Sequence, residues 1–230
     1  MYNIKALRGT IFCPPIRYTK EFVASLSDVA NGYTPIIVRD NGALPVLPIW
    51  QLSSPDEREL LLFNGEKIDL VQGVESQIDD EAIHAFTERC KTVFSKILEV
   101  TGYICTRIAF APSVIITEKG TRPTALYNKM FSFNVFDGAQ LDNSNLSQVY
   151  RVNKSIGDKE VRINHVANFH SENELVNING INQMRERYMG DFDINTMVNP
   201  EYKFSIPNVM EFFDISPTLF SAFYNLYLGE

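Results

Sequence analysis

Between Leu60 and Val71 the chain reads Leu-Leu-Leu-Phe-Asn-Gly-Glu-Lys-Ile-Asp-Leu-Val, two strand-forming runs separated by Asn64-Gly65. Asn-Gly tolerates the positive φ that a type I′ turn needs at both central positions, and the twist of that turn matches the strands it joins. A hairpin with strands 58–63 and 66–71 is expected, which commits this part of the chain to antiparallel pairing.

The flanking sequence extends that pairing. Ile4 to Cys13 reads as a first strand stopped by Pro14-Pro15, since proline cannot continue a ladder. A helix follows, with Thr19 as N-cap, Phe22, Val23, Leu26 and Val29 as its apolar stripe and Asn31-Gly32 as its stop. Pro35 to Arg39 is a short strand, and Leu44 to Ser53 an extended one whose Pro45 and Pro48 suit an edge. A long helix is expected from Asp80 to Thr101, because Ile83, Phe86, Cys90, Val93, Phe94, Ile97 and Leu98 recur at helical spacing. Asp79 caps its start and Gly102 its end. Tyr103 to Thr117 then reads as a strand with Ile104, Ile108 and Phe110 on one face and Arg107 on the other.

The polar stretch Lys119-Gly120-Thr121-Arg122-Pro123 is the best candidate for an internal boundary. Asparagine occurs 4 times before residue 124 and 15 times after it, so the second part is richer in turns and polar strand faces. No sequence repeat joins the two parts. Met130 to Phe136 alternates as a strand, and Gln148–Ile156 with Lys159–Phe169 forms a second hairpin around Gly157-Asp158. That turn would pair Arg151 with Asn164, Asn153 with Arg162 and Val152 with Ile163. Residues 171–183 read as loop, and 184–197 is ambiguous. A C-terminal helix is expected from Ser216-Pro217, with Leu219, Phe220, Phe223, Leu226 and Tyr227 as its stripe. The fold class is therefore α+β, with antiparallel meanders, the long helix packed on the first sheet and a helix at the C-terminus. Its expected parts are an α+β subdomain over 1–120 and an asparagine-rich antiparallel subdomain over 124–230, standing separately or merged into one domain.

Charge and cysteine content narrow the function. A formal net charge of −7 disfavours nucleic acid, whose binding draws on lysine and arginine displacing counterions. Cys13, Cys90 and Cys105 are an odd number with no Cys-x-x-Cys spacing, which argues for a reducing, cytoplasmic setting and against a zinc module. No stretch approaches a membrane span, and no cofactor is implied.

Three residue groups are candidate sites. Arg151, Asn153, Arg162 and Asn164 fall on one face of the second hairpin, a polar face suited to an anion or an acidic partner. Asp191, Asp193 and Asn195 share the spacing of the first oxygens of a calcium loop, but Thr196 and Tyr202 stand where an EF-hand requires glycine and glutamate. His165 and His170 differ by an odd number, so one extended strand sends their side chains to opposite faces. The aromatic C-terminus, with Phe220, Phe223 and Tyr227, is either core or a self-association surface.

The pieces Trp50-Gln-Leu-Ser-Ser-Pro-Asp, Thr106-Arg107-Ile108 and Asp191-Phe-Asp193-Ile-Asn195-Thr196 resemble, over nearly the whole chain, a sporadically distributed family of uncharacterised bacterial proteins of similar size. The resemblance implies a two-part α+β layout and no catalytic residue. The residues themselves favour a non-enzymatic binding or scaffold protein, acting through a protein partner or a homo-oligomer. The alternative is a metal-dependent hydrolase or nuclease built on Asp191, Asp193 and Asn195.

Overall fold

The computed structural model describes residues 2–38, 49–118, 146–178 and 180–228. The proposed boundary at 119–123, the strand expected at 130–136 and the start of the one expected at Leu44 lie outside these residues. The elements are β1 (Tyr2–Phe12), α1 (Lys20–Ser25), β2 (Thr34–Val38), β3 (Ile49–Ser53), β4 (Glu59–Asn64), β5 (Lys67–Ile78), α2 (Asp80–Thr101), β6 (Arg107–Phe110), β7 (Ser113–Glu118), β8 (Leu146–Ile156), β9 (Lys159–Ile178), β10 (Ile181–Thr196) and α3 (Ile206–Leu228).

The strands form one antiparallel sheet in the order β2-β3-β4-β5-β1-β6-β10-β9-β8, with β7 beside β1 and β10. The chain is thus α+β, with α2 and α3 packed on one face. Its topology repeats although its sequence does not. In each half a first strand pairs with the last strand of an antiparallel meander, and a long helix follows that meander. The two first strands meet at the centre, where Gly9 lies opposite Phe110 and Phe12 opposite Arg107. The sheet therefore runs unbroken from the first half into the second.

Both hairpins form, but the first turns one residue later than the Asn-Gly reading expects. Asn64 pairs with Lys67, which leaves Gly65-Glu66 as the two-residue loop, with φ 60° at Gly65. Positive φ at the first central position alone is the type II′ arrangement. The second hairpin turns at Gly157-Asp158 as expected, with Ile156 opposite Lys159, Arg151 opposite Asn164 and Asn153 opposite Arg162.

Local capping explains the helices. Thr19 accepts from the Phe22 N–H at the head of α1. Asp79 accepts from Ala82 N–H, and Gly102 closes α2 at φ 66°. Every apolar residue of the expected α2 stripe is buried. α3 corrects the reading of Ser216-Pro217 as a helix start, because the helix begins ten residues earlier at Ile206. The effective cap is Ser205, whose N–H and hydroxyl both donate to Asn208 Oδ1, at 3.0 and 2.8 Å. Ser216 instead lies inside the helix and donates to the Phe212 carbonyl at 2.7 Å. Ser-Pro carries the same signature in both settings, and packing decides between them.

Residues 171–183 are not loop. β9 and β10 pair continuously from Ile163–Thr196 to Ile178–Ile181, and the ambiguous 184–197 segment is the second arm of that ribbon. The strand read across 103–117 is divided at Ala111-Pro112 into β6 and β7, since proline has no donor for the ladder.

The core lies between the sheet and the two long helices. Phe192 on β10 is its second-half centre, with ring centroids of Phe220 at 5.7 Å and Phe223 at 5.4 Å. Phe94 of α2 stacks on Phe213 of α3 at 5.6 Å, above Gly9. No helix among the described residues is long and apolar enough to cross a membrane.

Candidate functional site

Alternation along the strands places every second residue on the face turned away from α2 and α3. One rung of this face crosses six successive strands: Asp69 on β5, Thr10 on β1, Ala109 on β6, Asn195 on β10, Asn164 on β9 and Arg151 on β8. The structure therefore unites two groups that the sequence presents separately, the hairpin face of Arg151 and Asn164 and the aspartate-asparagine run on β10.

The rung is hydrogen-bonded from side to side. Arg151 Nε donates to Asn164 Oδ1 at 3.2 Å, and Asn164 Nδ2 donates to Asn195 Oδ1 at 3.1 Å. The same Asn195 oxygen accepts from Arg107 Nη2 at 2.9 Å. Arg107 also donates to the Thr196 carbonyl at 3.2 Å, and its guanidinium lies 4.9 Å from the centre of the Phe12 ring. On the other side Thr10 Oγ1 donates to Asp69 Oδ1 at 2.6 Å, and Lys67 Nζ stands 3.0 Å from Asp69 Oδ2. An arginine has five donors in a planar fork, so Arg107 and Arg151 keep capacity for a further acceptor. Arg8, Arg151 and Arg162 are exposed.

Asp193 occupies the middle of this arrangement. Burial pushes its carboxyl above the usual carboxylate range, against the opposing pull of the Asn195 hydrogen bond and of Arg107, Arg8 and Lys67. Its Oδ1 is buried and has no hydrogen-bond partner among the described residues. A raised folded-state value means that the fold favours the protonated acid, so this contribution is present at low pH and is lost as pH rises through the folded value. Asp193→Asn is therefore expected to raise stability near about pH 7, with the gain vanishing below the ordinary carboxyl range. Urea unfolding at both pH values measures it. A variant less stable at neutral pH would show that the three cations outweigh burial.

The other residues singled out in the sequence fall elsewhere. Asp191 shares the face but is held separately, accepting from Ser113 Oγ at 2.6 Å with His170 Nδ1 3.7 Å away. His165 points to the helix side, edge-on to Phe223 at 5.2 Å, so the two histidines do leave opposite faces. Burial, with Lys154 adding to it, holds the His165 imidazole below its ordinary range. Among the described residues no three His, Cys, Asp or Glu side chains gather as a metal site. Asn153 and Arg162 continue the polar face beyond the rung. Phe220, Phe223 and Tyr227 are 0%, 5% and 6% exposed, which corrects the reading of these rings as a self-association surface: they are core.

Arg8, Thr10, Lys67, Asp69 and Arg107 are the members that sequence reasoning did not gather. Alternation marks each as facing away from a core, but only strand order brings residues 8, 69, 107 and 195 together. No protein-family model matches the chain, and no curated protein matches it.

Proposed function

We propose that this is a non-enzymatic binding protein whose sheet face takes hold of an acidic segment of a partner protein. The observation that carries the reading is the collection of Arg8, Lys67, Arg107, Arg151 and Arg162 on one face of a chain whose net charge is −7. Asp69, Asp191, Asp193 and Glu160, which stands two residues before Arg162 on β9, offset these cations only in part. From β5 to β8 the face spans five strand spacings, about 24 Å. That width is about seven residues of extended chain, and it is broader than a small anion requires. Guanidinium groups with spare donors recognise carboxylates in pairs of hydrogen bonds. Nucleic acid would also supply anions, but the acidic total repels it at long range.

The test is a fluorescence-anisotropy titration with a labelled peptide of about eight glutamates, long enough to cross the face. Binding is expected at low salt, weakening as salt is added. The double variant Arg151→Ala/Arg162→Ala, at exposed positions, is expected to weaken it by about tenfold, the effect of losing charge-assisted hydrogen bonds. Equal binding of a lysine peptide, or of glutamate peptide to the double variant, would refute the reading.

A further inference from the structure

We propose that a second site, the groove between β5 and α2, receives an extended, uncharged-to-acidic peptide segment that adds as a strand to the open edge of β5. The polar face lies on the other side of the sheet, so this inference does not rest on it.

The groove arises because β4 stops short. β4 pairs with β5 only as far as Glu59 opposite Gln72, whereas β5 continues to Ile78, which lies opposite Tyr2 of β1. The last link to the β4 side is Gly73 N–H donating to the Arg58 carbonyl at 2.8 Å. Residues 73–78 thus have β1 along one edge and, among the described residues, no strand along the other. A register shift between Ile4 and Ala6 marks a bulge here, a feature that re-aims a strand beside a site. The segment reads Gly-Val-Glu-Ser-Gln-Ile, without the proline or lysine that commonly protects an edge.

Between that edge and the first turns of α2 lies a cavity of about 330 Å³ with Leu7, Val74, Ile78, Ala82, Ala85 and Phe86 among its walls. The two alanines make the helix wall shallow. The volume is at the small end of ligand sites and fits an aliphatic side chain. At the rim, Arg89 is committed to Glu59, with Nη2 2.8 Å from Oε1. Arg58 is exposed there, with the Asp56 carboxylate as the neighbouring charge it interacts with.

Backbone chemistry selects the occupant. Alternate amides of a strand point to its open edge, and whatever covers them must hydrogen-bond them or forfeit their hydration. A small apolar acid fills the cavity but leaves those amides unpaired. An extended peptide pairs them, lays an aliphatic side chain on Leu7 and Phe86, and offers a carboxylate to Arg58.

The test is an NMR titration of the full chain with the acetylated, amidated peptide Thr-Val-Thr-Leu-Thr-Glu. Shifts are expected at residues 73–78 and 82–89, with a Kd below about 1 mM. Replacing the leucine of the peptide by proline, which removes a donor, is expected to weaken binding at least about tenfold. Ala85→Trp, at an exposed position, is expected to do the same by filling the groove, and Arg58→Glu on the rim serves if that variant misfolds. Absence of binding, equal binding of the proline peptide, binding of hexanoate as tightly as the peptide, or full binding by Arg58→Glu and Ala85→Trp would each overturn the proposal.

Discussion

Phe220→Ala is expected to lower the unfolding free energy by about 3–5 kcal/mol, the cost of deleting a buried aromatic ring whose surroundings relax only in part. Phe220 is 0% exposed and touches four rings, Tyr2, Phe110, Phe192 and Tyr224. Those partners come from β1, β6, β10 and α3, so one side chain ties both halves of the sheet to the C-terminal helix. Phe220→Asp adds a buried charge without a partner and is expected to abolish the cooperative transition. Urea denaturation followed by circular dichroism measures both. A folded Phe220→Asp protein with an altered oligomeric state would place the ring in an interface and contradict this packing.

Gly9→Ala is expected to cost about 1–3 kcal/mol by overpacking. A Cβ at this position would stand 2.4 Å from Cys90 Sγ, 3.2 Å from Phe213 and 3.3 Å from Phe94. Glycine is required here because α2 and α3 press directly on the central strand; no turn or positive φ is involved. Shortening the opposing side chain with Cys90→Ala should restore part of the loss in the double variant, although Cys90→Ala alone removes a buried thiol from a packed core. The double-mutant cycle is therefore expected to show coupling of opposite sign to the single losses. Additive effects would mean that the helices move away as a unit and the sulfur is not the limiting contact.

The strand, turn and cap signals carried by adjacent residues were legible in the chain. Asp79 and Gly102 bound α2 because a cap needs only its own neighbours. Arg151, Asn153, Arg162 and Asn164 share a hairpin face because a two-residue turn dictates the register on both sides. The failures have an equally local cause. Asn64-Gly65 and Gly65-Glu66 both satisfy a hairpin turn, and the choice shifts every cross-strand partner by two residues while leaving each side chain on its face. It was settled by Leu61 and Phe63 lying opposite Leu70 and Ile68 within the core. Ser216-Pro217 resembles a helix start, yet Phe212 and Phe213 must continue the same helix to reach the core.

The aromatic C-terminus shows the same division at larger scale. Its spacing predicts a buried stripe but not what buries it, and both a partner and the chain's own sheet satisfy the pattern. Only the meeting of β6 and β10 beneath α3 provides the cover. The candidate site is similar. Asp191, Asp193 and Asn195 alternate along one strand in the sequence, and so does the polar hairpin face.

Sequence by itself determined the α+β class, the antiparallel hairpins, the long capped helix and the parity that separates polar from apolar strand faces, since each depends on residues a few positions apart. Tertiary structure decided the order of the strands, and with it the convergence of Arg8, Asp69, Arg107, Asp193 and Arg151 on one surface. Strand order is set by burial summed over the whole chain, and no short stretch of sequence contains that sum.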